Sequence, residues 1–140
     1  MVVCRKRPDY TRGWKISAAF NVSQKDPAPL ELFLETLGCG SVRKAGNDGW
    51  YWEVNKLDDL WSRIVPFFER FPLLGRKAHD FKLFRGAVAL LAQPVVSDAH
   101  YVTVLTLREW MNDGGKRRYT AERILRDYTP TSPVPSGEMR

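Results

Sequence analysis

The stretch from Trp14 to Asp26, W-K-I-S-A-A-F-N-V-S-Q-K-D, constrains the fold more than any other part of this chain. Trp14, Ile16, Ala18, Phe20 and Val22 alternate with Lys15, Ser17, Ala19, Asn21 and Ser23, so a period of two sends one set to a core and leaves the other for water or a ligand. Asp26 then offers a carboxylate to the first amides of a helix, and Pro27 sits where its missing N–H costs nothing. A half-buried strand therefore runs straight into a helix start.

The remaining elements can be placed around this one. Val2 to Pro8 reads as a strand, joined to Trp14 by the turn residues D-Y-T-R-G (Asp9 to Gly13). If the alternation sets the register, Arg5 and Arg7 share the open face with Lys15, Ser17, Asn21 and Ser23. Leu30, Phe33, Leu34 and Leu37 recur at helical spacing, and Gly38 follows where a left-handed C-cap is expected. Ser41 to Ala45 and Trp50 to Asn55 flank G-N-D-G, a hairpin signal, with Trp50, Trp52 and Val54 opposite Tyr51, Glu53 and Asn55.

Asn55 can cap the next helix, whose apolar stripe is Leu57, Leu60, Trp61, Ile64, Val65 and Phe68, with Pro66 expected to kink it. Phe67, Phe68 and Phe71 are expected in the core, a ligand pocket being the alternative. A helix with Phe81, Phe84, Val88 and Leu91 on one side ends before Pro94. Ser97 opens another helix to about Asn112, ended by Gly114 and Gly115. Thr120 caps a short helix carrying Ile124, Leu125 and Tyr128, and the tail from Thr129 lacks the apolar surface to order itself.

At 140 residues, 44% of them apolar, the chain can build a sizeable core. No apolar run reaches the roughly 20 residues needed to cross a bilayer, and M-V-V-C-R-K-R is not a secretory leader. An intracellular, soluble protein without a membrane partner is expected, in cytoplasm, nucleoid or an organelle matrix. Cys4 and Cys39 lack metal-ligand spacing and are expected as reduced, buried thiols, with a disulfide the alternative.

Of the net charge of +6, residues 1–25 supply +5, holding Arg5, Lys6, Arg7, Arg12, Lys15 and Lys25 against Asp9 alone. Such a field favours phosphate-bearing partners, though a solubilising surface gives the same composition. Arg76 and Lys77 form a further basic pair, and Lys116, Arg117 and Arg118 another cluster. His79 and His100 lie apart with no carboxylate or cysteine cluster at ligand spacing, and are expected on the surface. Asp58 and Asp59 are adjacent on a helix and fit first-turn carboxylates rather than a paired acid and base. Neither a glycine-rich phosphate loop nor a G-x-S-x-G elbow is present.

The order β-β-α-β-β-α-α, a basic polar sheet face, and the strings F-N-V-S-Q-K-D, L-G-C-G-S-V-R, Y-W-E-V, P-F-F-E-R-F-P-L-L-G-R-K and M-N-D-G-G-K-R-R-Y-T-A-E-R-I-L together resemble the LAGLIDADG homing endonucleases, from about Val2 to Arg126. The resemblance implies an α+β fold in which a four-stranded antiparallel saddle carries helices on one face, with C-terminal helices added. It divides the chain into a LAGLIDADG-like domain over 1–92, a helical extension over 93–128 and a tail over 129–140. The saddle would lie along a duplex DNA groove, with Arg43, Tyr51 and Glu53 joining Arg5, Arg7, Arg12, Lys15, Ser17, Asn21, Ser23, Lys25, Arg76, Lys116, Arg117 and Arg118 as contacts.

By the same resemblance Gln24 falls near the active-site water, and Lys77, rather than Arg76, falls at the active-site lysine. Cleavage in the family depends on a divalent metal, Mg2+ in a full-length active enzyme, held by an acidic residue ending a helix ahead of the first strand. Here Met1 stands directly before that strand, and Leu83 to Leu91 is followed by Ala92 and Gln93, with no carboxylate. Two functions follow: a nuclease whose motif helix lies outside this sequence, or a non-catalytic descendant that binds DNA or RNA, such as a maturase or ribosome-associated protein. Without the motif helix, the sheet near Trp14, Ile16, Trp50 or Trp52 is expected to lack cover, leaving a patch for a protein or RNA partner unless the C-terminal helices fill it.

Overall fold

The computed structural model describes residues 1–7, 9, 12–46, 48–111 and 120–128. Its elements run β1 (Val2–Lys6), β2 (Trp14–Ala18), β3 (Phe20–Gln24), α1 (Ala28–Leu37), β4 (Ser41–Lys44), β5 (Trp50–Val54), α2 (Leu57–Asp59), a π-helical turn (Leu60–Ile64), α3 (Val65–Arg70), α4 (Arg76–Leu91), α5 (Asp98–Trp110) and α6 (Ala121–Asp127). This is the expected α+β class with antiparallel pairing. The elements form two compact units, one of Met1 with Ala18–Pro72 and one of Val2–Ser17 with Leu73–Arg140. Residue 92 falls inside the second.

The long strand expected from Trp14 to Ser23 is two strands. β2 pairs with β1 in a two-stranded sheet, while β3 joins a three-stranded sheet of order β3-β5-β4, in place of one four-stranded sheet. The reason is a change of partner at Ala19, whose amide donates to the Met1 carbonyl at 2.8 Å and whose carbonyl accepts from the Met1 ammonium group. Alternation records which face a side chain takes and is silent on which strand supplies the hydrogen bonds.

In the first unit, β5 is the central strand, and Trp52 stands opposite Val22 on one side and Val42 on the other. α1 packs against all three strands. Phe33 from α1 stacks on the Trp52 indole, with centroids 5.3 Å apart, and Phe20 meets it edge-on at 6.1 Å. Trp52 is 0% exposed, and its indole N–H donates to the Cys39 carbonyl at 3.0 Å. Gly40 is required beside it. Its φ is +87°, and a Cβ there would lie 2.6 Å from Trp52 Nε1 and 2.7 Å from the Glu53 carbonyl.

α1 begins as its sequence demands: the Asp26 carboxylate accepts from the Ala28 amide at 3.0 Å, with Pro27 at the N-cap. It ends at Gly38, left-handed at φ 68°, whose amide donates to the Leu34 carbonyl. Arg63 adds a donor at this end, reaching the Leu37 carbonyl at 3.1 Å. Asn55 does not cap the following helix. Lys56 occupies the N-cap without a side-chain bond, and Asp58 and Asp59 place negative charge in the first turn.

The disturbance expected at Pro66 takes the form of the π-helical turn immediately before it. Proline has no N–H for the carbonyl four residues back and its ring crowds that carbonyl. The preceding amide, of Val65, bonds the Leu60 carbonyl five residues back. In that wider turn Leu60 and Ile64 are buried but Trp61 is 40% exposed, so it leaves the stripe to which a 3.6 period assigned it. Phe68 is buried against Phe20, with ring centroids 5.0 Å apart; Phe67 is half-buried, and Phe71 is exposed rather than in the core.

In the second unit, the Arg7 amide donates to the Gly13 carbonyl at 2.9 Å. A connection this short permits only an antiparallel β1-β2 hairpin. α4 and α5 pack together through Phe81, Phe84, Ala87, Val88 and Leu91 on one and Val104 and Leu105 on the other. Gly86 lets them approach, since a Cβ there would lie 3.3 Å from Leu107 Cδ1. Ser97 caps α5 by accepting from the His100 amide, and His100 Nδ1 accepts from the Ser97 amide, both at 3.2 Å. His100 is therefore half-buried in a capping box rather than a plain surface residue. Thr120 caps α6 as its position implies, accepting from the Arg123 amide.

Cys4 is half-buried, Cys39 is buried, and neither is in a disulfide. Burial pushes the Cys39 thiol pKa up. The open apolar patch considered for the inner sheet face is not found. Trp14 is 2% exposed, Ile16 and Trp52 are buried, and Trp50 is half-buried. Among the described residues no helix is long and apolar enough to cross a membrane. Gly114, Gly115 and the tail from Thr129 lie outside the described residues.

Candidate nucleic-acid interface

The register of the three-stranded sheet sorts its side chains into two faces. Val22, Trp52 and Val42 form a row toward α1, and parity then places Asn21, Glu53 and Ser41 in one row and Ser23, Tyr51 and Arg43 in the next on the opposite face. Asn21, Ser23, Ser41 and Arg43 are exposed, and Tyr51 and Glu53 half-buried. Every side chain on this face can donate or accept a hydrogen bond. Ser41 was missed in the sequence, although its place two residues before Arg43 in one strand carried the signal.

Arg43 is held from two directions. Its Nη2 donates to Glu53 Oε1 at 2.7 Å, and its Cζ lies 5.2 Å from the centre of the Tyr51 ring. Gln24 pairs with Trp50 and so falls on the other parity from Asn21 and Ser23, exposed at the strand end. Lys25 follows it and is exposed.

The second unit carries its own candidates. Counting inward from the Arg7–Gly13 bond puts Arg5 opposite Lys15 and Val3 opposite Ser17. Two cations directly opposed repel each other, a cost that a bound anion between them would offset. Arg5 is exposed, and Lys15 and Ser17 are half-buried. Arg7 forms a two-point ion pair with Asp9, at 2.8 and 2.6 Å, and this bonding holds the Asp9 carboxyl below its usual pKa.

Arg12 serves the interior of its unit. Its Nε donates to Asp98 Oδ1 and its Nη2 to the Val96 carbonyl, both at 3.1 Å, and its guanidinium lies 4.6 Å over the Tyr101 ring. The Tyr128 hydroxyl donates to the same Asp98 oxygen at 2.6 Å. Arg76 and Lys77 are exposed in the first turn of α4, after Gly75 at φ 63°. Lys116, Arg117 and Arg118 lie outside the described residues. Gln24 and Lys77 belong to different compact units.

Among the described residues no three His, Cys, Asp or Glu side chains come together in a way that could hold a metal ion. The described residues therefore bring together no carboxylate set of the kind that Mg2+ requires.

Comparison with solved structures places this fold among the LAGLIDADG homing endonucleases. The structure of I-SmaMI bound to cleaved DNA superposes with a TM-score of 0.79 and 27% identity over 94% of this chain and 44% of that one. I-TnaI gives 0.75 and 26%, over 90% of this chain and 84% of the other. The archaeal intron-encoded endonuclease I-Vdi141I, complexed with DNA, shares the fold at 0.80 with 19% identity.

The sequence profile described as LAGLIDADG endonuclease matches residues 1–88, and the chain belongs to that family. A probable intron-encoded endonuclease 3 of Neurospora crassa is 34% identical over 104 residues, 71% of this chain and 18% of that protein. An uncharacterized 50.9 kDa protein in ND4 intron 1 of Podospora anserina is 28% identical over 65% of this chain and 21% of its own length. The chain thus spans about a fifth of these curated relatives.

Proposed function

We propose that this chain is a DNA-contacting part of a homing endonuclease, engaging duplex DNA through the polar face of the β3-β5-β4 sheet. The observation that carries this reading is the segregation across that sheet: Val22, Trp52 and Val42 toward α1, and Asn21, Ser23, Ser41, Arg43, Tyr51 and Glu53 on the other side. A solubilising face needs only charge. This one mixes donors, acceptors, a ring and a restrained guanidinium, the groups that read base edges.

The exposed cations Arg5, Lys25, Arg76 and Lys77 suit phosphate oxygens, which position a protein without reading sequence. Gln24, exposed at the end of β3 within the first unit, is the residue we assign to the surroundings of the scissile phosphate. Binding, rather than cleavage, is the activity that the described residues support directly.

Fluorescence anisotropy of labelled duplex DNA with the 140-residue chain tests this. With about four phosphate contacts, affinity should fall on the order of 100-fold between 50 and 200 mM salt. Duplex RNA, whose deep and narrow major groove does not admit a sheet, should bind more weakly. No binding at low salt, or tighter binding of RNA, would overturn the reading.

A further inference from the structure

Glu53 is out of place on a surface meant only to attract phosphates. It lies in the row with Asn21 and Ser41, among neutral and cationic groups, and a carboxylate there repels the backbone of any nucleic acid that approaches. It accepts from Arg43, the cation of the same sheet face, through the 2.7 Å bond from Nη2 to Oε1, and its charge also acts on the Met1 ammonium group. Tyr51, two residues before Glu53 on β5 and directly opposite Arg43, supplies the ring against which the guanidinium rests at 5.2 Å.

The restraint changes what Arg43 can do. An unrestrained arginine sweeps a wide arc and finds phosphates, whereas a guanidinium fixed by a carboxylate and a ring has its remaining donors set in one orientation. A guanidinium has five N–H donors, and the Glu53 bond uses one of them. The rest include a pair at the spacing of guanine O6 and N7, the two acceptors that guanine presents in the major groove.

Resting on the function proposed above, we infer that Arg43 reads a single guanine in the bound duplex and that Glu53 is the residue that positions it. Glu53 lowers general affinity through its charge and raises selectivity through the orientation it imposes. With Arg43 exposed and Glu53 half-buried, the pair itself contributes little to stability, and its use lies in the orientation that it gives the guanidinium.

The test is selection from a randomised duplex library at low salt, with the retained DNA sequenced for the wild-type chain, Arg43→Gln and Glu53→Gln, and circular dichroism confirming that each is folded. The wild type should enrich guanine at one position, and Arg43→Gln should lose that preference by about 10-fold while other positions keep theirs. Glu53→Gln should weaken the same position without reducing total affinity, an effect that a merely structural role would not produce. If Arg43→Gln instead weakens binding uniformly and lowers the salt slope by about 1, Arg43 is a phosphate contact and the inference is wrong. A wild-type profile without guanine preference, or a Glu53→Gln profile unchanged at that position, also overturns it. Failure of the wild-type chain to retain any duplex overturns the broader function first, and is distinct from binding without selectivity.

Discussion

Trp52 in the first unit and Asp98 in the second are each a point on which separate stretches of chain converge, and they gather them by different forces. Trp52 collects α1 through Phe33, β3 through Phe20 and the α1–β4 connection through the Cys39 carbonyl. Asp98 collects the hairpin connection through Arg12 and the segment after α6 through Tyr128. The indole acts mainly by surface removed from water, which is non-directional and insensitive to pH. The carboxylate acts by two donors on one oxygen, so every member matters.

The largest expected effect tests the apolar side. Trp52→Ala removes a side chain that is 0% exposed together with its hydrogen bond, and large-to-small changes of this kind cost about 3–5 kcal/mol. Urea unfolding followed by far-ultraviolet circular dichroism should show the midpoint falling accordingly. A loss below about 1 kcal/mol would mean that the sheet is not organised on this residue.

The polar side should respond more weakly and with a pH signature. Asp98→Ala leaves a half-buried guanidinium and a hydroxyl without this acceptor, at a cost of about 1–3 kcal/mol, and Tyr128→Phe should cost about 1 kcal/mol. Burial, then the bond to Asp98, pushes the Tyr128 hydroxyl well above its ordinary pKa of 10. A raised folded-state pKa contributes stability that is full below the unfolded value and lost as pH rises beyond it. Unfolding midpoints of the wild type should therefore fall above pH 10 more steeply than those of Tyr128→Phe; parallel curves would place the titration elsewhere.

The same contrast explains what the sequence disclosed. Periodicity located the amphipathic faces of α1 and α4, the cap at Ser97 and the turn at Gly38, because those features are local and each residue type has one physical reason to be there. It did not disclose the division of the strand at Ala19, since the hydrogen bonds to Met1 depend on residues 18 positions away. Nor could it find the convergence on Asp98, where Arg12 and Asp98 are separated by 86 positions. The sheet face was legible as far as alternation reaches: Asn21, Ser23, Tyr51 and Glu53 followed from it, and Ser41 lies within its reach, whereas the pairing of Arg43 with Glu53 needed the register between strands.

The smallest effect marks the lower limit of the polar side. Arg126 and Glu122 approach to 3.6 Å at i,i+4 spacing on α6, with side chains 70% and 87% exposed. Water screens such a pair and two long side chains lose freedom to form it, so its net contribution lies within about 0.5 kcal/mol. Glu122→Gln should leave the urea midpoint nearly unchanged, and added salt should erase what difference remains. Asp98 differs from Glu122 in burial and in having two donors on one oxygen, not in formal charge. If Glu122→Gln cost as much as Asp98→Ala, burial would not be what gives the Asp98 cluster its strength, and the contrast with Trp52 would reduce to one between charged and apolar residues.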